Sequence, residues 1–274
     1  MNPDKKAWFR IGKPKVIPSA ILINGSDNLR EKRVNVFKQG EPKIVVPIVE
    51  KTDSEILNRA LQIAETRADM IELRADYYEY GTDSKKVITL LKKLWGTVPN
   101  LPIIFTFRTK DEGGKAEISA SEYLDLCDDV AQSNIVAAVD VEYDYIMADF
   151  NNFLIFGDLF HSSRSAIIVS KHILDPAHFA DSYEKVADIL LDLKLDVPAD
   201  KHSDIVKLAF MANDNFDFEA LNAVVRKVKD EIGLYAVIAM GENGVESRTR
   251  ACELGSCITF MSFGKESAAG QAGI

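Results

Sequence analysis

From residue 43 onward the sequence alternates short apolar runs with amphipathic stretches, and that alternation restricts the fold more than any other feature. The runs at 43–49, 70–73, 103–108, 135–141, 166–170, 205–211, 234–240 and 257–263 are dense in Val, Ile, Leu, Phe and Ala. That is the composition of strands covered on both faces. Between them, 53–64, 83–95, 119–132, 146–160, 176–193, 217–232 and 245–254 carry apolar residues at helical spacing, the first behind an Asp cap. Eight strands alternating with seven helices imply parallel pairing with right-handed crossovers. Units of about 30 residues predict an α/β fold of the (β/α)8 TIM barrel type. A doubly wound open sheet shares the alternation, but no glycine-rich dinucleotide fingerprint follows any strand.

The two ends of the chain add to this frame. Residues 1–13 are basic and irregular and read as a flexible arm, with 14–274 as a single barrel domain. Apolar-rich runs at 15–23 and 33–37 flank Asn24-Gly25-Ser26-Asp27-Asn28, which predicts an antiparallel hairpin over 14–38. After the eighth run only residues 264–274 follow, so no residues remain for an eighth outer helix. The expectation is that the N-terminal arm fills that groove or that the wall is open there.

Composition narrows the function classes. With 274 residues and 47% apolar content the chain can bury one large core. Its net charge of -9 and pI near 5.1 argue against a nucleic-acid or anionic-membrane partner. Cys127, Cys252 and Cys257 are odd in number and lack metal-ligand spacing, so they read as reduced thiols in a cytoplasmic protein. The polar N-terminus has no signal-type apolar region, and no apolar run reaches the ~18 residues of a membrane span.

In a parallel barrel the functional face lies at the carboxyl ends of the strands. There the sequence places Glu72-Leu73-Arg74-Ala75-Asp76, Thr106-Phe107-Arg108 leading to Glu112-Gly113-Gly114, Asp140-Val141-Glu142, Ser170-Lys171-His172, and Ser267 to Gln271 after the last strand. Lys207 stands inside the sixth apolar run, where an ammonium without a partner is costly and an amine can serve as a nucleophile toward a carbonyl. A lysine reaching out from a strand end is the plainer alternative. An iminium on Lys207 would acidify the adjacent C–H, and His172 is the one imidazole at a strand end to remove that proton. His161, His178 and His202 lie within or beside helices or ahead of a strand. Glu112 could orient the His172 ring. Arg74, Arg108 and Arg248 suit an anionic substrate, although spacing alone does not separate Arg248 from Arg250.

These residues, together with Gly244-Val245-Glu246-Ser247-Arg248 and Ser267-Ala268-Ala269-Gly270-Gln271, resemble in order and spacing the type I 3-dehydroquinate dehydratases over about 41–271. The N-terminal hairpin is similar to one that closes the barrel bottom in that family. The resemblance implies a Schiff-base lyase of the shikimate pathway, in aromatic amino acid biosynthesis, that converts 3-dehydroquinate to 3-dehydroshikimate without metal or organic cofactor. It makes Lys207 the iminium lysine, His172 the base for the C2 proton and donor to the C1 hydroxyl, and Glu112 its partner. It makes Arg248 the carboxylate clamp, puts Glu72, Arg74 and Arg108 against the substrate hydroxyls and the iminium, and puts Ser267 and Gln271 on a closing loop. A homodimer also follows from it. Three departures stand out: Lys171, where the family often has a small polar residue; Ala269, where it often has proline; and, the largest, the absent eighth helix, which in the family anchors the closing loop and contributes to the homodimer surface. The competing readings are a class I aldolase, with Gly241-Glu242-Asn243-Gly244 as a phosphate cradle, and a catalytically dead relative that binds a shikimate-pathway ligand.

Overall fold

The computed structural model describes residues 34–179, 182–194, 196–197, 201–202, 204–268 and 270–274. The eight expected strands are present: β1 Lys43–Ile48, β2 Met70–Arg74, β3 Ile103–Thr106, β4 Ala138–Glu142, β5 Ala166–Ile173, β6 Ile205–Met211, β7 Tyr235–Met240 and β8 Ile258–Phe260. All pair in parallel in the order β8-β1-β2-β3-β4-β5-β6-β7. β7 and β8 meet where the Cys257 amide donates to the Tyr235 carbonyl at 2.8 Å, so the ring is a nearly closed (β/α)8 barrel. The outer layer is built from α1 Asp53–Ala64, α2 Ser84–Thr97, α3 Ala120–Gln132, α4 Tyr143–Ile146, α5 Phe150–Ser162, α6 Glu184–Leu193, α7 Phe218–Ile232, α8 Val245–Thr249 and α9 Ala251–Leu254.

Local chemistry sets the helix starts. Thr52 and Glu55 form a reciprocal capping box on α1, and Ser119 with Glu122 does the same on α3. Asp83, Asp149 and Asp217 accept from first-turn amides of α2, α5 and α7. Each such cap contributes on the order of 1 kcal/mol.

Side-chain parity then divides the barrel in two. Ile71, Leu73, Phe105, Phe107, Val139, Val141, Val206, Leu208 and Val237 pack outward against the helices in one buried cluster. Val45, Met70, Ile104, Ala138, Ala166, Ile168, Ile205, Ala236 and Ile258 fill the interior in a second. Moving along β2 to β6 by steps of two from that interior set leads to Glu72 and Arg74, Thr106 and Arg108, Asp140 and Glu142, Ser170 and His172, and Lys207. The inner parity thus turns from apolar to charged toward the carboxyl ends.

Several expected boundaries move. The helix expected at 146–160 begins instead at Phe150, after the separate short α4, because Asp149 caps the Asn152 amide and the Asn152 amide group donates back to Tyr145 O. The helix expected from 176 begins at Glu184, since Asp175 folds 175–178 into a turn by accepting from Ala177 N through its side chain and from His178 N through its carbonyl. β3 stops at Thr106 because side chains take over its amides: Arg108 N donates to Asp76 and Thr109 N to Glu142. The helix expected at 245–254 breaks at Arg250. A short antiparallel pair, Asp196–Val197 with Lys201–His202, precedes β6 and was not foreseen.

The arm 1–13 and most of the 14–38 hairpin lie outside the described residues. At the hairpin's expected second run, Phe37 N donates to Val34 O in a turn, and the Phe37 ring is buried in the interior cluster. Among the described residues no helix follows β8. Instead Ala272 and Ile274 pair with Ser262, Ser262 N donating to Ala272 O and Ile274 N to Ser262 O.

Candidate active site

The carboxyl ends of the strands open into a small cavity. Glu72, Arg74, Arg108, His172, Lys207, Arg248, Ser267 and Gln271 all line it, together with Met240, Phe260 and Ala268. Of the nine site residues read from the sequence, only Glu112 stands back from the cavity, behind His172.

Lys207 is 4% exposed, so it does not reach past the strand end into solvent. Its Nζ donates to Asp140 Oδ2 at 2.9 Å and lies 4.6 Å from the centre of the Phe260 ring. Asp140 in turn accepts from Arg108 Nη2 at 2.7 Å and from Ser170 Oγ at 2.6 Å. Burial alone would push its carboxyl up, but the adjoining Arg108 and Lys207 cations outweigh that and hold it at about 2.

Arg108 is the hub of the floor. Its Nη1 contacts Glu112 Oε2 at 2.9 Å, Glu142 Oε1 at 2.8 Å and Ser170 Oγ at 3.2 Å. Burial works against this cation, yet Asp140, Glu142 and Glu112 together keep its guanidinium well above the usual range. Glu142 is locked from the far side by the amide and hydroxyl of Thr109.

Glu112 Oε2 receives the His172 backbone amide at 3.1 Å and faces His172 Nδ1 at 2.8 Å, while Oε1 is buried with no partner among the described residues. Burial raises the Glu112 carboxyl to about 8, with Glu142 and Asp140 adding to burial against the pull of Arg108. Burial also pushes His172 well below its ordinary value, and the Arg108, Lys207 and Arg74 cations add to it. His172 is therefore a neutral imidazole at neutral pH, with Nε2 left to serve the cavity. The backbone that places Glu112 depends on Gly114, where a Cβ would sit 1.8 Å from Arg108 O.

Arg74 is fixed by a bidentate pair with Asp76, both contacts at 2.8 Å, and its Nη1 reaches Ser267 O at 3.4 Å. Arg248 Nη1 donates to Ala239 O at 2.9 Å and to Gly270 O at 3.1 Å. Burial brings its guanidinium down to about 10, with Glu266 opposing. Gln271 accepts from Ser267 N and donates to Ser267 Oγ, which ties the two residues together at the cavity. Lys171 points away from the cavity, paired with Asp144 and set over the Tyr143 ring. Ala269 lies outside the described residues. Arg250, the alternative to Arg248, spends its guanidinium on Glu219, Glu246 and Glu253 at the surface.

A buried lysine beside a neutral imidazole, under three arginines and a loop, is a site for activating a carbonyl in an anionic molecule. The family described as Type I 3-dehydroquinase matches residues 44–274. The chain belongs to this family. The 3-dehydroquinate dehydratase of Clostridium botulinum (strain Eklund 17B / Type B) is 34% identical over 238 residues, covering 86% of this chain and 89% of that protein. That of Klebsiella pneumoniae (strain 342) is 32% identical over 240 residues, covering 87% and 91%. The solved type I 3-dehydroquinate dehydratase from Clostridium difficile, with covalently modified comenic acid, superposes with a TM-score of 0.75 at 25% identity, covering 86% and 89%.

In this type I 3-dehydroquinase the sequence exposed the cavity-lining residues but not what holds them. Asp140, Glu142, Ser170 and Asp76 were visible as strand-end polar residues and had no assigned task. The available signal was their parity, since Asp76 and Ser170 share the inner face of their strand or strand end with Arg74 and His172, and Asp140 and Glu142 have the same inward parity on β4.

Proposed function

We propose that the chain is a lyase that dehydrates 3-dehydroquinate to 3-dehydroshikimate through an iminium on Lys207. The observation that carries this reading is the placement of the buried Lys207 amine and the neutral His172 ring on one small cavity ringed by Arg74, Arg108 and Arg248. The Lys207 amine adds to the substrate ketone and expels its oxygen as water, leaving a protonated iminium. His172 removes a C2 proton, and the electron pair passes toward Nζ as the enamine forms. The imidazolium returns the proton to the C1 hydroxyl, which leaves as water when the electron pair flows back. Hydrolysis of the iminium then frees the product and the lysine.

Glu112 orients His172 through two contacts on one oxygen. Arg248 takes the substrate carboxylate, Glu72, Arg74 and Arg108 face its hydroxyls and the reacting carbon, and Ser267 with Gln271 closes the site against water. The turn 241–244, which an aldolase would use for phosphate, is packed against the loop instead, since a Cβ on Gly270 would lie 2.0 Å from Gly241 O.

Among the described residues no helix is long and apolar enough to cross a membrane. Free Cys127, Cys252 and Cys257 favour a reducing, cytoplasmic setting, and the charge of -9 disfavours nucleic acid. The homodimer implied by the family resemblance is part of the same reading, and sedimentation of the purified protein tests it.

Mixing the protein with 3-dehydroquinate and borohydride, then mapping the peptides by mass, tests the chemistry. A reduced adduct on Lys207 is expected. A folded sample that gives none would return the chain to the non-catalytic ligand-binding reading.

A further inference from the structure

Asp140 is 1% exposed and is not among the cavity-lining residues, so it does not meet a bound molecule. Both of its oxygens are nevertheless committed. Oδ2 takes Lys207 Nζ, while Oδ1 takes Arg108 Nη2 and Ser170 Oγ. Ser170 is the register partner of Lys207 on the neighbouring strand, so the carboxylate from β4 reaches the lysine of β6 across the β5 position between them. On its other side the amine has the face of Phe260.

We infer that Asp140 is a positioning residue for the Lys207 amine, holding Nζ at the cavity floor and standing opposite the positive charge that condensation places on it. The inference rests on the dehydratase reading. As the amine joins the ketone, a C–N bond forms and the carbonyl oxygen departs as water. The amine's lone pair forms that bond, one of its protons and one from solvent leave with the oxygen, and the second proton stays on nitrogen to give an iminium with one positive charge and one N–H. The anion therefore stands where the positive charge develops. The enamine loses that charge, and elimination restores it.

An asparagine has the same shape but a single acceptor oxygen. Asp140→Asn must leave either Lys207 or Arg108 facing an amide nitrogen, which donates where an acceptor is needed. Asp140→Glu keeps the charge and alters the shape.

The experiment is rapid-quench borohydride trapping of the Lys207 adduct in wild type and both variants, with thermal melts alongside. Adduct formation in Asp140→Asn is expected to slow by about 10- to 100-fold, the scale of a lost hydrogen bond between charged groups. Asp140→Glu is expected to form adduct faster than Asp140→Asn. A rate for Asp140→Asn less than tenfold below wild type, or a slower rate for Asp140→Glu than for Asp140→Asn, overturns the assignment by making the residue a matter of packing. If Asp140→Asn gives no cooperative melt, Ser170→Ala carries the test. It removes one restraint on Oδ1 and should slow adduct formation by about threefold or more, since a neutral hydrogen bond is weaker. An unchanged rate there also overturns the inference. Absence of adduct in the wild type would remove the dehydratase reading and this inference with it. A wild-type adduct with a normal rate in Asp140→Asn removes only the inference.

Discussion

Glu112 and His172 are joined twice through a single oxygen: Oε2 of Glu112 takes both the backbone amide of His172 at 3.1 Å and faces its Nδ1 at 2.8 Å. The ring is thereby held by the same atom that holds its main chain, and its orientation cannot drift independently of β5. The cost falls on Glu112, whose other oxygen is buried without a partner among the described residues.

That arrangement makes stability depend on pH. Burial raises the folded-state carboxyl of Glu112 from 4.5 to about 8. Between those values the folded protein keeps a proton that the unfolded chain has released, so stability contributed by this group falls as pH rises through the window. Glu112→Gln carries no charge at any pH and escapes the loss. The melting temperature of the variant minus that of wild type should therefore increase from pH 5 to pH 8. A difference that stays level across a pH series of melts would show that Glu112 ionises alike in both states.

Lys207→Ala should reduce turnover by at least about a thousandfold, because among the described residues no other lysine lines the cavity. Folding should survive, since Asp140 keeps Arg108 and Ser170 as partners. Steady-state dehydration followed by absorbance, together with a thermal melt, checks both halves.

His172→Ala should lower kcat by about 10² to 10⁴, the usual contribution of a placed general base. Condensation does not require the imidazole, so trapping with borohydride should yield more adduct in this variant than in wild type during turnover. Failure to accumulate any adduct would take proton transfer away from His172.

Arg248→Ala should raise KM by about tenfold or more, the scale of one charge-assisted hydrogen bond. It also removes the donor to Gly270 O, so the 267–271 loop should become more open to limited proteolysis. Substrate titration and a protease time course read the two effects separately.

Gly270→Ala places a side chain where φ is +71° and where the Cβ would lie 2.0 Å from Gly241 O. The loop cannot seat, at a local cost of about 1–3 kcal/mol. Activity should fall by at least about tenfold while the melting temperature changes little, because the rest of the barrel does not depend on the loop. A kinetic assay beside a melt distinguishes that pattern from global destabilisation.

The barrel was legible because buried parallel strands are nearly continuous apolar runs, and eight of them at regular spacing leave few alternatives. Lys207, His172 and the arginines were legible for the converse reason, as charges in places where such strands carry Val and Ile. The break between Ile146 and Phe150 was hidden, since a capping Asp inside an apolar stretch looks like a solvated helix position until Asn152 is seen to bind Tyr145 O. The turn at 175–178 was hidden similarly, because Pro176 also suits the first turn of a helix. Asp140 was overlooked for a different cause. Its task depends on reaching across β5, and a distance of two strands has no signature along the chain.

Strand parity has one further consequence. In β2 to β6 the residues that would meet the reactant and those that grip the helices alternate one by one, so the two sets share a single reading frame. A residue inserted within any of these strands would send the helix-facing side chains inward and the polar ones into the helix layer together. An insertion in the loops at the amino ends of the barrel would disturb neither. The length of the chain can therefore vary in the loops at the amino ends of the barrel but not along the few residues of each strand that approach the cavity.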